Sequence, residues 1–208
     1  MIPDVVALDA PDLDRRLEAA LETGETVVFP TETVYGIGGN PWDESVLDRV
    51  RALKGRPVGQ PFTLHLPSVV VIERFARLDD RLRAIVSRLL PGPYTLLLPA
   101  APAAPPAMVL DGVVGIRVPD HAFFRSTMLR LDRPLFGTSV NRSGAPPLSE
   151  VDRIIEQFPS VDLIVVGEVG GAASTILDPT DDPPRVVRGV LPRALGESLL
   201  DEEEEGDA

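Results

Sequence analysis

Apolar positions along this chain recur with two different periods, which predict helices alternating with strands. Apolar residues three and four apart predict a helix that begins after Asp9 or Asp12 and ends at Glu22. The same spacing predicts a helix from Glu44 to Leu53, capped by Asp43. Further helices are expected at residues 69–75, 79–90, 119–130 and 148–158. Short apolar runs predict strands at residues 26–30, 62–66, 94–98, 113–118, 135–139, 161–166, 174–177 and 184–188.

This order of elements predicts the α/β fold class with a largely buried sheet, although short apolar runs leave the strand order open. The 208 residues allow one generous domain or two small ones. A Pro/Ala segment at residues 100–107 is expected to be a locally extended surface excursion, because the patterns on its two sides are similar. We therefore expect a single domain over residues 1–195.

Charge is unevenly distributed along the chain. The formal net charge is −12, and half of it lies in the last eight residues, which contain no base. Residues 196–208 are therefore expected to form an acidic, disordered tail. The rest of the chain has no basic stripe, so strong direct binding to tRNA or other nucleic acid is disfavoured.

Several other classes of protein are excluded or disfavoured by composition. The chain has no cysteine and two histidines, which excludes disulfides and makes a preformed transition-metal site improbable. It has no apolar run of 18 residues, and the N-terminus lacks the basic region of a signal peptide. These observations predict a cytoplasmic protein with no membrane segment.

The stretch from Val27 to Arg56 contains the residue types of an anion pocket. A strand leads into Thr31-Glu32-Thr33 and a glycine cluster at 36–39, and a helix later ends at Lys54 and Arg56. Hydroxyls, backbone donors and fixed cations favour phosphate as the occupant. Neither common phosphate motif is present. The alternative for each half is structural, namely a glycine-rich turn and cations that offset the helix macrodipole.

Five motifs occur in one order from about Thr23 to Arg188. They are PTETVYGIGGN, KGRP followed by Pro61, PGPYTLLLPA, VGIRVPDH and TSVNRSG. Together they resemble the YrdC-type threonylcarbamoyl-AMP synthase family in its short, single-domain form. The resemblance implies a twisted, mixed, largely parallel sheet with flanking helices and an open cationic cavity.

The same resemblance implies an activity. ATP, L-threonine and bicarbonate would give threonylcarbamoyl-adenylate and pyrophosphate, with Mg²⁺ accompanying ATP. A downstream tRNA threonylcarbamoyl transferase would use the product. In this chemistry a carbamate attacks the α-phosphate, so two anions must be brought together by fixed cations and hydrogen-bond donors. No protein side chain is predicted as a metal ligand, and for Glu32 a water-mediated contact to magnesium and a turn-stabilising role both remain open.

The resemblance also implies roles for individual residues. Catalytic roles, with nucleotide contacts, fall on the KxR and SxN residues Lys54, Arg56, Ser139 and Asn141, and a further nucleotide contact falls on Arg188. The implied threonine-binding residues are Thr31, Thr33, Tyr35, His65, Arg117 and Ser174. Each has a plainer alternative: for example, His65 as a half-buried polar residue, Arg117 as a surface ion pair, or Thr31 as a turn residue.

The chain departs from the family pattern at three places. It has Gln60-Pro61-Phe62 where Asn-Pro-Leu is common, Val140 where alanine is usual, and Gly189-Val190 after Arg188. Two other functions stay open. One is a related carbamoyl-adenylating activity, normally found in longer chains with zinc-finger-like parts. The other is a non-catalytic RNA-binding module, which the acidic charge disfavours.

Overall fold

The computed structural model describes residues 3–57 and 59–192. They form an eleven-stranded sheet with helices packed against it, which confirms the predicted α/β class. The strands are β1 Asp4–Ala7, β2 Val27–Phe29, β3 Gly36–Gly39, β4 Thr63–His65, β5 Tyr94–Pro99, β6 Val109–Leu110, β7 Val113–Arg117, β8 Leu135–Ser139, β9 Leu163–Val166, β10 Thr175–Asp178 and β11 Arg185–Arg188. The predicted domain end at 195 and acidic tail at 196–208 lie outside the described residues.

The helices lie between these strands in the chain. The α-helices are α1 Leu13–Glu22, α2 Glu44–Lys54, α3 Asp80–Leu89, α4 Leu129–Leu131 and α5 Val151–Gln157. Two 3₁₀ segments occupy Val69–Arg74 and Pro106–Met108, and a π-helical segment, Phe124–Met128, runs directly into α4. Within the described part of the chain, no helix is long and apolar enough to cross a membrane.

The sheet is mixed, as expected. Its order is β1-β9-β2-β3-β8-β4-β7-β5-β10-β11, and β6 pairs with β7. Parallel pairing joins β9 to β1 and β2, β4 to β7, and β5 to β10, while the other recorded pairs are antiparallel. Strand β3 lies antiparallel between β2 and β8, near the middle of the sheet.

Alternate residues of the strands point to two different apolar clusters, so helices cover both faces of the sheet. The larger cluster joins the apolar faces of α2 and α3 to strand residues such as Leu64 and Ile116. The smaller cluster joins α1 and the segment 123–128 to Phe29 and to Leu163 of β9. That smaller cluster does not extend over β4, β7 and β5, and this uncovered part of the sheet is where the cavity described below lies.

Helix α2 begins at Glu44 as its sequence predicts and ends at Lys54, one residue after the predicted end. The Asp43 carboxylate accepts hydrogen bonds from the backbone N–H groups of Ser45 and Val46, which is the expected N-cap. Gly55 ends the helix in the left-handed region at φ 62°. These two ends fix the position from which Lys54 and Arg56 extend.

The expected glycine-rich turn at residues 36–39 is wrong, because these glycines form β3. A Cβ on Gly36 would lie 2.5 Å from the Phe29 ring, and one on Gly39 would lie 2.9 Å from the backbone oxygen of Glu25. Residues without side chains carry no period-two pattern, so the sequence gives no strand signal here. Strands β1 and β6 also lie outside the predicted elements.

Candidate active site

A cavity of about 360 Å³ lies on the uncovered face of the sheet. Among the residues predicted for the site, those that line it are Thr31, Tyr35, Arg56, His65, Arg117, Ser139, Ser174 and Arg188. The predicted residues Thr33, Lys54 and Asn141 do not line it, and each instead makes hydrogen bonds to a residue that does. Most of the predicted site residues are therefore brought together, in two layers.

The loop that follows β2 is fixed by its own hydroxyls. Thr31 Oγ1 donates to the backbone oxygen of Val34 at 2.7 Å and lies 2.8 Å from Thr33 Oγ1. Tyr35 donates its hydroxyl hydrogen to the Gly167 oxygen at 2.6 Å and accepts from the Gly167 N–H at 3.1 Å. Thr31 thus has the turn-stabilising role considered from the sequence and also lines the cavity. The Tyr35 hydroxyl is engaged by the turn after β9.

Arg117 is the most deeply buried cation of the cavity wall, with 4% of its surface exposed. Its Nη2 donates to Thr33 Oγ1 at 2.7 Å and lies 2.9 Å from Glu32 Oε1. Burial lowers the pKa of Arg117, and the Glu32 carboxylate opposes that change. Neither carboxylate oxygen of Glu32 accepts a hydrogen bond of good geometry. The contact between Glu32 and Arg117 is therefore an ion pair, defined by the distance between the charged atoms. The alternative of Arg117 as a surface ion pair is wrong, because the guanidinium is buried.

His65 is a buried, neutral imidazole. Its Nδ1 lies 3.2 Å from the Thr63 oxygen, and its ring packs edge-on against Phe29 at 5.4 Å between centroids. Burial, and then the charge of Arg117, lowers the pKa of His65 to about 3. A carbonyl partner requires the hydrogen on Nδ1, which leaves Nε2 as an acceptor. The alternative of a half-buried polar residue does not hold.

Lys54 is buried behind the segment that carries the SxN motif. Its Nζ donates to the backbone oxygen of Ser139, to that of Asn141 at 2.7 Å, and to Asn141 Oδ1 at 3.1 Å. Ser139 Oγ also donates to Asn141 Oδ1, at 2.5 Å. Burial, and then the charge of Arg56, lowers the pKa of Lys54 to about 8. Lys54 therefore supports the segment from which Ser139 faces the cavity.

The second cation of the KxR motif lines the cavity itself. Arg56 Nη2 donates to the Pro61 oxygen at 2.7 Å, and Nη1 reaches Thr138 Oγ1 at 3.4 Å. Its guanidinium carbon lies 5.1 Å from the centroid of the Phe62 ring. Burial, and then the charges of Arg51 and Arg188, lowers the pKa of Arg56.

Ser174 and Arg188 complete the wall on the β10 side. Arg188 Nη2 donates to the Ser174 backbone oxygen at 2.9 Å, and Ser174 Oγ lies 3.3 Å from Thr95 Oγ1. The lining contains three arginines and two carboxylates, Asp111 and Asp178, and Asp178 is already paired with Arg185 at 2.9 Å. The arrangement favours an anionic ligand.

Sequence reasoning missed part of the cavity floor. Thr63, Thr95, Leu97, Gly115 and Gly137 all line the cavity. They lie in register across β8, β4, β7 and β5, close to the residues that were predicted. The alternation of side chains along a strand could have identified two of them. Thr63 and Gly115 stand two positions before His65 and Arg117 respectively, so they point to the same face of the sheet. Among the described residues, no group of three or more His, Asp or Glu side chains could hold a metal ion.

Comparison with known proteins identifies the family. Residues 19–189 match the family model for Sua5, YciO and YrdC proteins, described as "Telomere recombination". The chain belongs to the Sua5/YciO/YrdC family. The match covers the whole cavity, from Thr31 to Arg188.

Curated relatives of this chain are named threonylcarbamoyl-AMP synthase. The chain is 33% identical to threonylcarbamoyl-AMP synthase from Pyrococcus abyssi over 88% of this chain and 55% of that protein. It is 32% identical to the protein of that name from Shigella boydii over 73% of this chain and 82% of that one. The chain spans a little over half the length of the P. abyssi and Bacillus subtilis relatives.

Solved structures of the family have the same fold. P. abyssi Sua5 complexed with L-threonine matches with a TM-score of 0.83 and 30% identity, over 97% of this chain and 62% of that one. Escherichia coli YciO matches with a TM-score of 0.82 and 26% identity, over 90% and 95% of the two chains. The similarity to HypF, at 17% identity and a TM-score of 0.69, shows the fold alone.

Proposed function

We propose that this chain is an L-threonylcarbamoyladenylate synthase, a nucleotidyltransferase that forms the adenylate and pyrophosphate from ATP, L-threonine and bicarbonate. The observation that carries the proposal is the cavity wall, where Arg56, Arg117 and Arg188 converge with Ser139 and Ser174. Relatives that share the fold bear the name of this activity, and one was solved with L-threonine.

In this proposal, threonine and the phosphates of ATP bind at two different ends of the cavity. Arg117 offers a buried cation for the threonine carboxylate, beside neutral His65, whose free Nε2 can accept the threonine hydroxyl hydrogen. At the other end Arg56 and Ser139 face the space for phosphates, with Lys54 and Asn141 holding Ser139 from behind. The carbamate attacks the α-phosphate between these ends, and fixed cations reduce the repulsion between the two anions.

Mg²⁺ would enter with ATP, bound mainly by phosphate oxygens and water. The adenylate would pass to a tRNA threonylcarbamoyl transferase, since a mixed anhydride of this kind is a donor for acyl transfer.

Pyrophosphate release tests the proposal. Protein incubated with ATP, Mg²⁺, L-threonine and bicarbonate should release pyrophosphate and form an adenylate of the expected mass. Omission of threonine or bicarbonate should abolish release, because the carbamate nucleophile is then absent. Serine should react more slowly, since a missing methyl group in a fitted pocket costs about 1–3 kcal/mol. Phosphate as the product, or equal rates without threonine, would contradict the proposal, and carbamoyl phosphate as the preferred substrate would favour the related activity.

A further inference from the structure

Phe62 lies against two guanidinium groups. The Arg56 carbon Cζ is 5.1 Å from the centroid of the Phe62 ring, and the Arg51 carbon is 5.3 Å from it. Both separations fall within the range for attraction between a cation and an aromatic ring. The ring is buried, with 2% of its surface exposed, and its other aromatic neighbour is Phe136 at 4.9 Å.

The hydrogen bonds of Arg56 do not by themselves fix its guanidinium. The contact with the Pro61 oxygen is short, at 2.7 Å, but those with the Gln60 oxygen and Thr138 Oγ1 are both 3.4 Å. No acidic partner for Arg56 is present among the ion pairs of the described chain. Burial, and then the like charge of Arg51, lowers the pKa of Arg56, and Arg51 itself is paired with Asp48 at 2.9 Å. An interaction that attracts both cations to one ring offsets this repulsion.

The position between the two arginines holds an aromatic residue, Phe62. Leucine would also be apolar and of similar size, but it has no ring quadrupole, whereas phenylalanine has one. A buried core position needs only an apolar side chain of suitable size. Burial alone therefore does not account for the choice of an aromatic residue between two arginines.

We propose that Phe62 is a positioning residue, which holds the Arg56 guanidinium at the cavity wall through its ring and so sets the affinity for the phosphates of the nucleotide. The proposal rests on the proposed function in one respect, that Arg56 contacts those phosphates. Phe62 lies beside Arg56 in the cavity lining, and the role proposed for it is exerted through Arg56.

Phe62→Leu and the matched control Phe136→Leu test the proposal together. Phe136 is buried like Phe62 and packs on it, but it lies behind the cavity lining, and both arginines stack on Phe62 instead. Phe62→Leu should raise KM for ATP and weaken binding of inorganic pyrophosphate by about 2- to 30-fold, with KM for threonine within twofold of wild type. Phe136→Leu should lower Tm and should leave the KM for ATP and the affinity for pyrophosphate within twofold of wild type.

Fluorinated phenylalanines at position 62 separate the ring's charge distribution from its shape. Successive fluorine substitutions weaken the ring quadrupole at nearly constant volume, so pyrophosphate affinity should fall stepwise with Tm almost unchanged. Unchanged affinity across the series, or an equal loss in Phe136→Leu, would overturn the proposal. Pyrophosphate binding by calorimetry needs no turnover, so an inactive wild type that still shows the stepwise loss would reject the proposed function and retain the role of Phe62.

Discussion

The Nζ of Lys54 lies 2.7 Å from the backbone oxygen of Asn141 and 3.1 Å from its Oδ1. In the other direction, the backbone N–H of Ser143 donates to the Lys54 oxygen at 2.9 Å. The end of α2 and the segment after β8 are therefore interlocked by both main chain and side chain. The two short motifs that sequence reasoning treated as separate contributors of catalytic groups form one structural unit.

Lys54→Met should impair both stability and activity, whereas Arg56→Ala should impair mainly activity. Removal of the ammonium takes a donor from the backbone oxygens of Ser139 and Asn141, which are partly buried, while Asn141 Oδ1 keeps the Ser139 hydroxyl as a donor. A buried group left unsatisfied costs about 1–3 kcal/mol, and partial exposure reduces that value. Denaturant unfolding and pyrophosphate release, measured on both variants, check this difference. A Lys54→Met protein as stable as wild type would show that the interlock contributes little.

Glu32→Gln should destabilise the protein by about 2 kcal/mol, because it leaves the buried Arg117 without its carboxylate. Breaking a fully buried ion pair costs about 3–5 kcal/mol, and the Glu32 side chain retains 19% exposure, which reduces that value. Glu73→Gln is the matched control, since its pair with Arg83 is exposed at the surface. Chemical denaturation of the two variants should show a clear loss for the first and little change for the second.

Stability should fall as pH decreases from about 6.5 towards 3, in part because of His65. The folded pKa of His65 is about 3, below the unfolded value of 6.5, so in this window only the unfolded state takes up the proton. One such proton contributes about 1.4 kcal/mol per pH unit. His121, whose pKa is also lowered by burial, adds in the same direction.

The comparison with His65→Gln isolates the contribution of His65, since the carboxylates and His121 are common to both proteins. Unfolding free energies measured from pH 7 to pH 4 should fall less steeply in the variant. Parallel slopes would mean that His65 is protonated in the folded protein.

Gly115→Val should preserve stability and weaken substrate binding. The glycine lies in the middle of β7, and a Cβ there would meet only ordinary contacts, 3.6 Å from Leu97 and 3.7 Å from Thr95. Because Gly115 lies on the cavity floor, the volume that a side chain would fill there is open to a substrate. We expect at least a tenfold rise in KM for a substrate and a Tm within a few degrees of wild type.

Gly137→Ala provides the contrast for that experiment. A Cβ on Gly137 would lie 2.7 Å from the Phe29 ring and 3.1 Å from His65, so this variant should lose stability by about 1–3 kcal/mol through overpacking. If Gly115→Val lost stability to the same extent, Gly115 would be required for packing and not for space.

The sequence predicts the helices and most strands well, because long apolar stripes and caps such as Asp43 are local signals. It also identifies the cavity residues on the strand ends, through motif resemblance. It does not predict β3, whose glycines carry no pattern, nor the separation of Lys54 from the cavity, which depends on how α2 meets β8. The floor residues Gly115 and Leu97 depend on register between β7 and β5, and register is a property of the assembled sheet.

The place of β9 in the sheet has a consequence for how the molecule forms. Residues 163–166 insert between residues 4–7 of β1 and residues 27–29 of β2, so neither of these early strands acquires this neighbour until the chain has been made beyond Val166. The turn after β9 is also what anchors Tyr35, through Gly167. Pairings so distant in sequence fold slowly and leave strand edges exposed in the interval. A growing polypeptide on the ribosome would therefore need protection of those two edges for most of its synthesis, and the loop from Thr31 to Tyr35 would reach its final arrangement among the last parts of the protein.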